Sequence, residues 1–299
     1  MEPDNALTCS LGVFAYNEAE NIIPLLEALC AQKLRRAVIA EIIVVSSAST
    51  DGTDELVESF AHAHPRVRLI RQARREGKSS AINLFLAEAA SPLLMVISGD
   101  VIPAPTTIEK LAAAFTDPMV GASGGRPVPV NSPKSFMGYA VHLLWRLHHR
   151  MAMISPKLGE MIAFRKLMDS IPADSAVDEA SIEAIVRSRG LKLRYIPDAI
   201  ISNKGPTNIG DFIKQRRRIQ NGHLWLKKKQ GYKVVSQDGG TLGCILFDEL
   251  RENPASTPKV FAVMALEIFC RVLGAWDFYA QGKNPFAWDI ARSTKDPGR

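Results

Sequence analysis

The strongest constraint on this chain is the alternation of strand-like and helix-like segments in its first hundred residues. Residues 9–16 are apolar and rich in strand formers. Residues 41–47 contain IIVV, a buried strand by its length and β-branching. Residues 67–71 and 93–98 repeat that character, and the last run ends at Gly99 and Asp100. Between them, 18–32, 53–63 and 78–90 read as helices, with Asn17 placed to cap the first. Strand, helix, strand, helix at this spacing predicts βαβ units and a parallel sheet. Ligands of open α/β sheets bind beyond the carboxyl ends of the strands. Tyr16, Asn17, the turn 47–51 and Asp100 are therefore expected to line one crevice.

The second half is less regular. Strands are expected at 120–128, 160–164 and 193–197, and helices at 135–154, 178–189, 209–229 and about 258–280. The 299 residues suffice for one large α/β domain plus an appended segment, or for two small domains. At 46% hydrophobic and 23% charged, the composition excludes disorder as the main state. The net charge of +6 suits phosphate-rich partners. Cys9, Cys30, Cys244 and Cys270 are scattered without a CxxC pair, which argues against structural zinc and fits a reducing compartment. The first ten residues do not read as a signal peptide. The most apolar stretch, 260–276, is interrupted by Glu267 and Arg271, so no spanning helix is expected.

Five segments carry candidate chemistry. SSASTDGTDE (46–55) is a strand end, a hydroxyl-rich turn and a helix start, where a nucleotide can meet backbone N–H groups. RREGKSSAIN (74–83) sets Arg74, Arg75 and Lys78 around Gly77 before a helix, a charge pattern that suits a diphosphate without matching a Walker loop. LLMVISGDVIPAP (93–105) ends a strand on Asp100, poised to hold Mg²⁺ or Mn²⁺ with phosphate oxygens; the plain alternative is a turn cap before Pro103. AVDEASIEAIVRSRG (176–190) places Asp178 and Glu179 in the first turn of a helix. The helix dipole alone would favour carboxylates there, but beside a sugar donor one could take a proton from a hydroxyl. KQRRRIQNGHLWLKKK (214–229) is a basic helix. With few aromatics and no RNP or helix-turn-helix pattern, it points to a diphosphate or a membrane surface rather than nucleic acid. A solvated face is its plain alternative. His148, His149 and His223 are weaker signals, as are Trp145 and Trp225; packing is the simpler role for each.

These segments occur in an order and at spacings that resemble the family 2 glycosyltransferases of the GT-A fold. The likeness covers about residues 8–230. It is carried by AYNEAEN (15–21), SSASTDGT (46–53), REGKSSAIN (75–83), SGDVIP (98–103), VDEASIEA (177–184) and QRRRI (215–219). The resemblance implies a Rossmann-like, mostly parallel α/β sheet flanked by helices, spanning 1–230. About 8–125 would form its nucleotide-sugar half and about 126–230 its acceptor half, with 231–299 a helical C-terminal extension. It implies that Tyr16, Asn17, Glu18, Ser47, Asp51 and Lys78 contact the nucleotide. Asp100 would hold metal and donor diphosphate as the last acid of a DxD motif, here Ser98-Gly99-Asp100. Of the acidic pair, Glu179 is the expected base, with Asp178 beside it. Gln215 and Arg218 resemble QxxRW, with Ile219 in place of the Trp. The implied activity is inverting transfer of a sugar from a nucleoside-diphosphate sugar to a saccharide or lipid-linked acceptor, in polysaccharide or glycolipid synthesis. A non-catalytic nucleotide-sugar-binding relative is one alternative, kept open by the hydroxyls at Ser46 and Ser98. A sugar nucleotidyltransferase is the other, but it would want a Gly-rich N-terminal loop that LGVFAYNEAEN lacks. A cytoplasmic location is expected. The 258–280 helix would either pack on the catalytic domain or lie in the plane of the inner membrane face.

Overall fold

The computed structural model describes residues 6–232, 234, 239–284 and 292–294. Strand β1 (Leu7–Ala15) runs through the sheet interior, with β2 (Ala37–Ser47) and β4 (Leu93–Ser98) parallel on either side and β3 (Val67–Gln72) outside β2. Both faces of these strands are covered, so both of their alternating side-chain sets are apolar. Leu11, Val13, Val44 and Met95 join one core with α1 (Ile22–Cys30), α2 (Thr53–Ala63) and α4 (Thr107–Ala113). Phe14, Ile43, Val45 and Val96 join another with α3 (Lys78–Glu88) and α6 (Asp178–Ser188). Gly12 lets α3 close on β1: a Cβ there would stand 2.7 Å from the Phe85 ring.

The remaining strands are β5 (Val101–Pro103), β6 (Val120–Pro129), β7 (Met161–Arg165) and β8 (Lys192–Asn203). The full order is β3-β2-β1-β4-β7-β6-β8-β5. β7 is antiparallel to both β4 and β6, and β5 is antiparallel to β8, while β6 and β8 are parallel. The expected mostly parallel α/β sheet is therefore present. β7's direction has a consequence for the site. Its amino end, not its carboxyl end, lies at the ligand edge beside β4.

Several local expectations are corrected. Asn17 does not cap a helix starting at 18. It adopts φ 54° and its Oδ1 accepts a bond from the Thr50 amide at 2.8 Å, so the first helix begins at Ile22. β8 runs well past 197. Its pairing with β6 skips between Tyr195 and Ile200, where Pro197 has no N–H to give, and then resumes. β5, α4 and α8 (Gly239–Glu252) were not anticipated.

The long helices α5 (Phe136–Ile154), α7 (Ile209–Gln230) and α9 (Thr257–Tyr279) pack with α8 around Leu143, Leu147, Phe212, Ile245 and Val263. Ion pairs staple this layer. Arg146 binds Glu249, whose side chain is fully buried, at 2.7 Å. Arg216 binds Glu267 through two bonds of 2.7 Å, and Arg217 pairs with the buried Asp277. Gly274 permits the α7–α9 approach, since a Cβ would stand 2.6 Å from the Arg217 carbonyl oxygen. Among the described residues, no helix is long and apolar enough to cross a membrane.

Candidate active site

The loops after β1, β2 and β4 are tied to one another by backbone donors. The Asn17 amide donates to Ser49 Oγ at 3.0 Å, Glu18 to Thr53 Oγ1 at 2.8 Å and Ala19 to Asp51 Oδ2 at 3.0 Å. The Gly99 amide donates to the Phe14 carbonyl at 2.9 Å. Burial pushes the Asp51 carboxyl up, but bonds from Thr53 and Ala19 outweigh it and hold the group below its ordinary range. Asn17 and Asp51 thus brace the rim. Tyr16, Glu18 and Ser47 line a cavity of about 500 Å³ that opens at this edge. The Ser47 hydroxyl donates to Gln72 Oε1 at 2.7 Å. The Arg75 guanidinium lies over the Tyr16 ring at 4.3 Å from its centre. Asn17, Ala48 and Glu160, the non-glycine residues with positive φ among those described, all sit at this rim.

Lys78 joins the two halves of the chain. Gly77, at φ 87°, turns the backbone in a region that side chains resist and delivers Lys78 at the start of α3. Lys78 Nζ lies 2.8 Å from Asp178 Oδ2 and 2.8 Å from Glu179 Oε1. Burial works against its charge, but the two carboxylates hold the ammonium above its ordinary range. The acidic pair splits. Burial and the neighbouring Glu179 push Asp178 up, while Lys78 outweighs burial at Glu179 and holds it down. The side chain of Glu179 is also the more accessible, at 24% against 8%.

Asp100 follows β4 and lines the same cavity. Glycine precedes it because a Cβ at 99 would fall 2.9 Å from Glu18 Cγ. Among the described residues, no group of three His, Cys, Asp or Glu side chains could hold a metal unaided. A single carboxylate still fits Mg²⁺ or Mn²⁺, which take oxygen ligands and commonly share them with substrate phosphates.

Glu160 is a site residue that sequence reasoning missed. It has φ 58°, and its Oε1 accepts from Asn203 Nδ2 at 3.2 Å. Burial, then the charges of Asp100 and Glu179, push its carboxyl up to about 7. The sequence pattern marks it only as the start of a strand. The antiparallel course of β7 would have put that start at the ligand edge. On α7, Gln215 and Arg218 reach the cavity, as does Arg216 one residue from Gln215.

The family model described as "Glycosyl transferase family 2" matches residues 10–185. The chain is 30% identical over 150 residues to a dolichyl-phosphate beta-glucosyltransferase of Trichomonas vaginalis, covering 44% of each chain. It is 25% identical over 222 residues to a poly-beta-1,6-N-acetyl-D-glucosamine synthase of Staphylococcus aureus, covering 70% of this chain and 53% of that one. The chain thus spans about half the length of these curated relatives. Among solved structures, a mannosyltransferase from Pyrobaculum calidifontis in complex with GDP-Man and Mn²⁺ superposes with a TM-score of 0.63. That likeness is at 22% identity and covers 92% of this chain and 86% of that one. The fold of this chain is the GT-A type.

Proposed function

The chain belongs to glycosyl transferase family 2, and on that premise we propose that it is an inverting glycosyltransferase using a nucleoside-diphosphate sugar as donor. The observation that carries this reading is the Lys78 contact with Asp178 and Glu179 at the strand edge, in one cavity with Asp100.

Glu179 is the base in this mechanism. Its ionised form is favoured by Lys78, and its side chain is the more accessible of the pair. An acceptor hydroxyl gives its proton to Glu179, and its oxygen forms a bond to the anomeric carbon. The bond from that carbon to the diphosphate oxygen breaks in line, and the nucleoside diphosphate leaves with the electron pair. Asp178, kept toward its protonated form, orients Lys78. Arg218 and Gln215 meet the leaving diphosphate from α7. Tyr16, Glu18 and Ser47 contact the nucleotide within the rim that Asn17 and Asp51 hold in shape. Asp100 would hold Mg²⁺ or Mn²⁺ together with the donor diphosphate, where the ion offsets charge on the leaving group.

A test is release of nucleoside diphosphate from a panel of sugar donors with Mn²⁺. Transfer or slow hydrolysis is expected. Binding without release from any donor would overturn the catalytic reading.

The same proposal includes peripheral contact with an anionic membrane from the cytoplasmic side. Phe261, Ile268, Val272, Trp276 and Tyr279 are more than half exposed along one face of α9. Lys228, at the end of α7, lies near Phe278 beside that face. An exposed apolar stripe with a lysine beside it suits an in-plane helix. Co-sedimentation with vesicles containing phosphatidylserine should fall when Phe261 and Trp276 are changed to Ser; unchanged binding would remove this part.

A further inference from the structure

The cavity runs from the strand edge into the helical layer, where Lys157, Arg216 and Arg271 line it. Glu267 is shared there between the two guanidiniums, with Arg216 at 2.7 Å and Arg271 at 2.9 Å. At the strand edge stands a carboxylate that the mechanism above does not use, Glu160.

Glu160 is held in an unfavourable shape. Its φ of 58° lies in the left-handed region, and the Met161 amide closes the turn onto the Gly159 carbonyl at 2.7 Å. Glycine would take that conformation freely. A long acidic side chain kept there instead is strain of the kind that gathers at ligand sites.

Strand register fixes where this side chain stands. β7 pairs with β4 through Met161 and Ile97, so the next step along sets Glu160 beside Ser98. β8 pairs with β5 through Asn203 and Val101. Glu160 and Asn203 therefore flank the turn that carries Asp100, and both line the cavity. The Asn203 side-chain amide donates to Glu160 Oε1 at 3.2 Å. Two residues on, Asn131 pins the end of β8, accepting from the Gly205 amide at 2.8 Å and donating to its carbonyl at 2.9 Å. Asn203 is 7% exposed, and its Oδ1 is buried without a hydrogen-bond partner among the described residues. An unmade bond of that kind is costly, and a ligand hydroxyl entering beside Glu160 can supply it.

The neighbours say which part of a ligand comes here. Burial, then the charges of Asp100 and Glu179, raise the Glu160 carboxyl, so both acids lie near it. In the mechanism above, the diphosphate sits at Asp100 and the attacking oxygen at Glu179. The ring of the transferred sugar spans those two points, with Glu160 beside it. Carboxylate and amide oxygens accept hydrogen bonds, which matches ring hydroxyls. Among the described residues, no three acidic groups gather around one metal ion, so Glu160 does not belong to an ion's cage.

Resting on the glycosyltransferase reading above, we propose that Glu160, positioned by Asn203, selects the donor by accepting a hydrogen bond from a ring hydroxyl of the transferred sugar. A donor lacking that hydroxyl leaves a buried carboxylate unpaired and is rejected. No bond is made or broken at Glu160.

Calorimetry with Mn²⁺ tests this by binding, without need of turnover. UDP-glucose, UDP-N-acetylglucosamine and GDP-mannose are compared, and the tightest is carried forward with its analogues deoxygenated at single ring positions. Wild-type protein should bind one analogue at least about tenfold more weakly than the parent donor. Glu160→Ala should bind the parent at least about tenfold more weakly and that analogue no worse than the parent. UDP and GDP themselves should bind both proteins alike, which separates a lost sugar contact from a damaged fold. Asn203→Ala should shrink the same deoxygenation penalty while leaving UDP and GDP binding level. If Glu160→Ala does not fold, Glu160→Gln is read instead, and the penalty should shrink at least threefold. A penalty of equal size with and without the Glu160 carboxylate overturns the proposal. So does an equal loss of UDP or GDP binding, or no measurable binding of any of the three donors. Nucleoside diphosphate release by the wild-type enzyme is followed in parallel. Its absence, with the penalty still dependent on Glu160, sinks the catalytic reading alone. Its presence, with the penalty indifferent to Glu160, sinks this one alone.

Discussion

The two ends of the cavity are built on different principles. The strand-edge end is made by backbone: turns after parallel strands, held by amide donors, place Tyr16, Glu18 and Asp100, and Gly77 delivers Lys78. The helical end is made by long side chains from α5, α7 and α9, fixed by ion pairs such as Arg216–Glu267. One is rich in carboxylates and the other in cations. Backbone placement tolerates little and leaves short local motifs. Side-chain placement draws on residues far apart in sequence and leaves none.

If the acid end does the chemistry, Glu179→Gln should have the largest effect. Turnover should fall by ~10²–10⁴-fold with little change in donor KM, since general base action typically contributes that much. An Asp178→Asn enzyme showing the larger loss would exchange the two roles. At the other end, Glu267→Gln should cost about 3–5 kcal/mol of stability, because it leaves Arg216 and Arg271 buried against a neutral partner. Urea unfolding would measure it. The Glu267 carboxyl is depressed to about 2, burial being outweighed by Arg216 and Arg271. Its stabilisation is therefore present above its unfolded value of about 4.5 and lost as pH falls toward 2. The deficit of the variant should shrink over that window.

The smallest effect is expected from Gly77→Ala, which forces a side chain into φ 87°. About 1–2 kcal/mol of stability should be lost, with donor KM rising.

The sequence was most readable where local pattern and global fold agree. The runs around IIVV and LLMVIS could hardly be anything but buried strands, and they became β2 and β4. The acidic pair and Lys78 were singled out, but their mutual contact spans a hundred residues and carries no local signature. Glu160 was missed because strand direction, not composition, sets which end of β7 meets the ligand edge. Arg216, Arg271 and Lys157 were missed because each looks like a surface cation until α9 folds over α7. α8 opens on Gly239 and Gly240, poor helix formers. It is held by tertiary contacts such as Glu249 with Arg146.

The left-handed residue Ala48 has a further consequence for the rim. A glycine would relieve about 1–2 kcal/mol of backbone repulsion there. It would also return conformational freedom to the unfolded chain worth ~0.5–1 kcal/mol. The strain relieved is the larger of the two, so the change would raise the global melting point slightly. Stiffness would register it. With alanine the turn has few alternative shapes to visit between donor binding events, so it waits for substrate already formed. With glycine the fold would be slightly more stable, yet the turn would have more shapes to visit before each donor binds.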